Sequence, residues 1–153
     1  MFSEPRVAKA PPLYEADFVQ WIDSTVEMLR DRNYSQVDWE NLIDEVLDMS
    51  KRERQALEGN LIVVLLHLLK WQYQLERRSG SWRGSIREHR RRIARALKDS
   101  PSLKPYLNEI FSDCYADARL QAADETQLHI TIFPEACPYE IAEALLPDFL
   151  SKE

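Results

Sequence analysis

The stretch NLIVVLLHLLKWQYQLE, Asn60 to Glu76, decides the fold. From Leu61 to Leu69 every residue except His67 is apolar. A helix that is apolar on all sides has no face to give to water, so other helices must surround it. The expected fold is therefore all-α: a single-domain helical bundle of five to six helices around a buried central helix. It is expected to span residues 14–153. Residues 1–13, with Pro5, Pro11 and Pro12 and little periodicity, are expected to form a loose N-terminal arm.

Working outward, each flanking segment carries a helical period. Phe18, Trp21, Ile22, Thr25, Val26 and Leu29 recur at steps of three and four, which predicts a helix starting near Tyr14 or Glu15, with Asn33 as its stop. Asp38 is a suitable N-cap for a second helix with the apolar stripe Trp39, Leu42, Ile43, Val46 and Leu47. Ser50 and Glu53 have the spacing of a capping box, predicting that a third, central helix opens at Lys51 and runs to Glu76, with Gly59 as its weak point. Ser79-Gly80-Ser81 breaks the chain before a fourth helix, Trp82 to Lys98. A fifth begins around Pro101, capped by Ser100 or Ser102, and buries Leu103, Tyr106, Leu107, Ile110, Phe111, Cys114 and Ala118. LHITIF, Leu128 to Phe133, alternates like a strand but has no partner strand, so an extended segment packed on the bundle is expected. A short last helix, Tyr139 to Leu146, follows Pro138.

Composition excludes several classes. With 3 glycines in 153 residues, glycine-rich phosphate loops are not available. No apolar run reaches the roughly 17 to 25 residues of a membrane span, because Lys70 closes the longest one. The N-terminus lacks a signal-type apolar block, and Cys114 and Cys137 alone imply neither a disulfide framework nor a zinc set. A cytoplasmic protein without membrane contact, cofactor or metal is expected. The net charge of −6 is segregated: residues 1–60 hold 7 Lys/Arg and 13 Asp/Glu, residues 61–100 hold 10 and 3, and residues 101–153 hold 3 and 10.

The candidate site residues follow from polarity in apolar surroundings. His67, Lys70 and Gln74 share a face of the central helix. With His89 they suggest a polar pocket, set against the plainer reading of a satisfied core histidine and a lysine reaching outward along its stem. No two of His67, His89 and His129 have the i, i+4 spacing of a helical metal pair. Asp44/Asp48 and Asp113/Asp117 are read as solvated helix faces, since neither pair has the ExxH partner of a di-iron bundle. On the fourth helix Trp82, Ile86, His89, Ile93 and Leu97 share one side; Arg83, Arg87, Arg90, Arg91, Arg95 and Lys98 share the other. From Arg77 to Lys98 there are 9 basic residues and one acid, Glu88, with Trp71 and Trp82 alongside, where an aromatic ring beside guanidinium groups can stack a base. Such a stripe can track phosphates; its rival use is to pair with acidic segments of this chain, of a second copy or of a partner protein, which the overall acidity favours.

Several motifs in order resemble a known family. YEADFVQW, DWENLIDEV, LIVVLLHLLKWQYQ, SWRGSIREHRRRI, SPSLKPYL and FPEACPY resemble the bacterial domain-of-unknown-function family 29, over roughly Tyr14 to Leu150. The most specific pieces are His67 to Trp71, Ser81-Trp82 with the arginines after it, and Phe133 to Tyr139. The resemblance implies an all-helical fold and no activity, so it assigns no catalytic residue. Three uses are expected in descending order: a non-enzymatic protein-interaction module, adaptor or antitoxin-like; RNA or DNA binding through the arginines; and a small hydrolase or nuclease built on His67, Lys70, His89 and Arg90.

Overall fold

Leu61, Val64, Leu65, Leu68 and Leu69 are all sealed from solvent in the computed structural model, which describes residues 11–151. The expected all-α fold is present: six α-helices, with no strand among the described residues. They are α1 (Leu13–Ala16), α2 (Phe18–Arg30), α3 (Trp39–Tyr73), α4 (Gly80–Asp99), α5 (Leu103–Thr126) and α6 (Ile141–Leu145). Contacts divide the chain into two compact units, Met1–Met49 and Ser50–Glu153, with α3 continuous through the boundary. Residues 1–10 of the expected arm lie outside the described residues; Pro11 and Pro12 precede α1 without regular structure.

The first unit is a helical hairpin. Its first long helix does not start at Tyr14. Asp17 leaves the helix with extended backbone, and its carboxylate accepts from the Gln20 amide at 3.0 Å, so α2 opens at Phe18. At the other end Arg32, not Asn33, takes the left-handed conformation, with φ 57°. The Asn33 amide donates to Met28 O (2.8 Å) and the Arg32 amide to Leu29 O (3.2 Å), the paired bonds that close a helix around a left-handed residue. Trp21 and Thr25 of α2 are buried, and the Tyr14 hydroxyl donates to Glu45 of α3 at 2.6 Å. Glu45, accepting that bond, raises the tyrosine pKa to about 12.

The expected second and third helices are one. A capping box works where the chain leaves helical dihedrals, and nothing from Asp48 to Ala56 makes it leave: there is no Gly, no Pro and no cap for the preceding turn. Ser50 Oγ instead accepts from Arg54 Nη1, one turn on, at 2.7 Å. The 35-residue α3 is thus about 52 Å long at 1.5 Å per residue.

The second unit wraps the apolar half of α3. Ile86 and Ile93 of α4 bury against the core, as do Leu103, Leu107, Phe111, Cys114, Tyr115, Ala118 and Ala122 of α5, and Phe133, Tyr139 and Ala144 beyond it. Ser79 caps α4, its Oγ accepting from the Trp82 amide at 3.4 Å. Ser102 precedes α5 without a side-chain cap. Residues 128–133 pack through Phe133, yet they are not extended throughout. Ile130–Ile132 form a single 3-10 turn, nucleated where the Thr131 amide donates to His129 Nδ1 at 3.3 Å. Arg119 holds the turn by donating to Phe133 O (3.0 Å) and Ile130 O (3.2 Å). The Tyr115 hydroxyl donates to Pro134 O, and the Tyr139 hydroxyl to Gln72 of α3 at 2.6 Å. The last helix begins at Ile141 rather than Tyr139, because Glu140 and Glu143 form a reciprocal capping box there.

Candidate functional site

Lys70 leaves the core of α3 and meets Glu125 of α5 at 2.9 Å, with its ammonium 4.7 Å from the centre of the Trp82 ring. Its side chain is 13% exposed, so this is a shielded pair and not a lysine lying free along the surface. Although burial pushes the Glu125 carboxyl up, hydrogen bonds from Lys70 and Gln121 bring it below the ordinary carboxylate range. One turn earlier, the half-buried His67 donates from Nδ1 to Val63 O at 2.9 Å. Burial lowers its pKa, the Val63 bond opposes that, and Lys70 reinforces it. His89 repeats the local arrangement on α4, donating from Nδ1 to Ser85 O at 2.7 Å. His129 caps its own turn.

The expected polar-pocket residues keep different partners. His67 and Lys70 sit by Glu125. His89 lines a groove of about 640 Å³ between α3 and α4, with Asn60, Arg91, Arg92 and Arg95 among its walls. Arg90 belongs to neither place. Of the four groups on which a hydrolase would rest, Lys70 and His89 lie near enough to His67 to oppose its protonation, while Arg90 is committed to the backbone of the C-terminal segment. Among the described residues, no group of three His, Cys, Asp or Glu side chains is placed to hold a metal ion. Cys114 is buried, and desolvation pushes its thiol up to about 12, away from the thiolate a nucleophile needs.

The arginine stripe splits in two. Arg83, Arg87, Arg91, Arg92 and Arg95 are exposed. Arg90 is not; it is 6% exposed and donates to the backbone carbonyls of Ala144 (2.7 Å), Pro147 (3.3 Å) and Phe149 (2.6 Å). On a helical wheel Arg90 falls next to Leu97 at the edge of the apolar side, so the packing of the C-terminal segment claims it. It clamps residues 144–149 onto α4 and is unavailable as a ligand contact. The ion pairs of the exposed arginines come from their own helix. Glu88 accepts from Arg91 and Arg92, which hold its carboxyl down at about 2, and Arg95 stands 3.8 Å from Asp99. Asp148 of the acidic C-terminal third lines a groove with Arg87 and Arg90, and among the described residues no salt bridge reaches Arg87.

The tryptophan faces are occupied by this chain's own cations. Arg78 lies 4.8 Å from the Trp71 ring and donates to Trp71 O at 2.8 Å, Arg83 lies 5.9 Å away, and Trp82 carries Lys70.

A feature that helical periodicity did not predict lies in the first unit. Of the apolar stripe Trp39, Leu42, Ile43, Val46 and Leu47, expected to be buried, all but the half-buried Leu42 face solvent. Of 15 exposed large hydrophobic side chains among the described residues, 11 lie between Leu13 and Met49. A two-helix layer offers each helix one neighbour, and the apolar arc of α3 is wider than that neighbour covers. Periodicity reveals the stripe but not what covers it; the signal that was available was the lack of a further apolar helix before residue 50.

The motif pieces shared with the family are largely the pins of the second unit: His67 to Trp71 on α3, Trp82 against Lys70, and Phe133 and Tyr139 in the core. No curated protein and no solved structure matches the chain. A family model described as a domain of unknown function matches residues 13–150, and on that span the chain belongs to the DUF29 family.

Proposed function

We propose that the protein is a non-enzymatic protein-interaction module of adaptor or antitoxin-like type, working in the cytoplasm. One observation carries this reading: the concentration of exposed apolar side chains in the first unit. Soluble chains scatter such residues singly, and a run of them on adjacent turns marks a surface that another molecule covers. Affinity capture with the full chain, at low and moderate salt, tests it. The expected result is a specific partner lost with an Ile43→Glu/Leu47→Glu variant that keeps its helical circular dichroism. No partner at either salt, or one indifferent to the variant, refutes it.

A second reading has its own support. Arg83, Arg87 and Arg91 stand exposed on successive turns of α4, and among the described residues no salt bridge reaches Arg87, so the face can contact phosphates. The pI near 5.2 and the occupied tryptophan faces weigh against it. Filter binding of RNA and DNA across a salt series decides. The reading fails if no binding is detected at low salt, or if Arg87→Ala/Arg91→Ala leaves it unchanged.

A further inference from the structure

The stripe on α3 has an ordered geometry. Trp39, Ile43, Val46 and Leu47 stand at i, i+4, i+7 and i+8, and Val46 and Leu47 are 57% and 62% exposed. On α2, Val19, Ile22 and Val26 repeat at i, i+3 and i+7 and are exposed as well. Beside the α3 stripe, Glu40, Asp44 and Asp48 form a column at i, i+4 and i+8, all exposed. No Lys or Arg occurs between Arg32 and Lys51, and among the described residues no salt bridge reaches these three carboxylates. Residues 11–49 hold 10 acidic and 2 basic side chains, a net of −8.

Charge decides what covers the stripe. A second copy applied through the same face brings another −8 against the first, and like charges rim the contact. The chain's own basic helix, α4, cannot serve from another copy, since Ile86 and Ile93 on its apolar side are buried in the core of the second unit. An anionic lipid surface meets the same repulsion. A basic amphipathic helix satisfies both halves of the surface: its apolar stripe covers Ile43, Val46 and Leu47, and Lys or Arg on its flank meets a column of acids spaced one turn apart.

Resting on the interaction-module reading above, we infer that the first half of α3 is a docking face for an amphipathic helix of a partner protein with Lys or Arg flanking its apolar residues. The acidic column sets the choice of partner and speeds encounter, and the apolar stripe holds the complex.

The test uses the full chain and two synthetic helices of about 20 residues, long enough to form a helix readily. They share one leucine stripe and differ in having Lys or Glu on the flanks. Fluorescence anisotropy is read at low and at raised salt, and sedimentation equilibrium gives the mass of the free chain. The Lys-flanked helix is expected to bind at least about tenfold tighter than the Glu-flanked one, and to weaken as salt screens the contact. Asp44→Lys/Asp48→Lys is expected to reverse that preference, and Ile43→Glu/Leu47→Glu to abolish binding. Equal binding of both helices overturns the basic partner while leaving a docking face. No binding by a chain that sediments as a dimer, and as a monomer when carrying Ile43→Glu/Leu47→Glu, makes a second copy the occupant and also overturns it. No binding by a monomer overturns this inference, and the affinity capture above then decides the interaction-module reading on its own.

Discussion

Replacing Arg90 with methionine tests the account of the C-terminal segment most directly. Methionine keeps most of the side-chain volume and removes the charge and every donor. Three bonds are lost, and they are unequal. The Pro147 contact is the longest at 3.3 Å and its residue is exposed, so water replaces it cheaply. The Ala144 and Phe149 bonds, at 2.7 and 2.6 Å, matter more, and Ala144 is fully buried. A bond to a charged donor contributes roughly 1.5–3 kcal/mol, which sets about 3–6 kcal/mol for the pair. Against this stands the cost of burying the guanidinium, whose pKa desolvation lowers to about 10; methionine removes that cost. The expected net loss is about 2–3 kcal/mol, a large share of the roughly 5–15 kcal/mol that holds a domain together. Urea unfolding followed by circular dichroism measures it. Hydrogen exchange gives its location: the amides of Ala144, Leu146 and Phe149 should lose protection ahead of those in α3. Arg90→Lys should fall between, since one ammonium cannot reach three carbonyls in the guanidinium's planar fork. A methionine variant within about 0.5 kcal/mol of the parent, with unchanged exchange at those amides, would show that Arg90 does not clamp the segment.

Two further outcomes are expected. Gly59→Ala should raise stability by about 0.5–1 kcal/mol, because a Cβ there meets nothing within 4 Å and the helix loses a flexible link; a loss on urea titration would mean the position needs its glycine. His67 should make stability fall on acidification from pH 7 to pH 5. Burial above all, with Lys70 and His89 beside it, depresses its pKa from 6.5, against the Val63 carbonyl and Glu125. Below 6.5 the unfolded chain therefore takes up a proton that the folded chain resists, and stability rises with pH across this window. His67→Gln should flatten that slope; an unaltered slope assigns the dependence to other groups.

Amino-acid order alone determined the helical class, the central position of Leu61 to Leu69 and most of the buried stripe of α5. Each is a consequence of local period or of apolar density, and both can be read along a chain. It also marked Trp39, Ile43, Val46 and Leu47 as one stripe, and the arginines of α4 as one side. Tertiary structure decided which of these surfaces has a neighbour. Arg90 and Arg87 differ little in sequence context, yet one is buried and donates to three carbonyls of the C-terminal segment while the other stays exposed in the groove that segment forms with α4. Ser50 could have opened a helix, but no preceding turn ended there. Glu125 was invisible as a partner for Lys70 across 55 residues of sequence. Periodicity gives each helix an apolar direction; only the arrangement of the other helices determines whether protein or solvent lies along it.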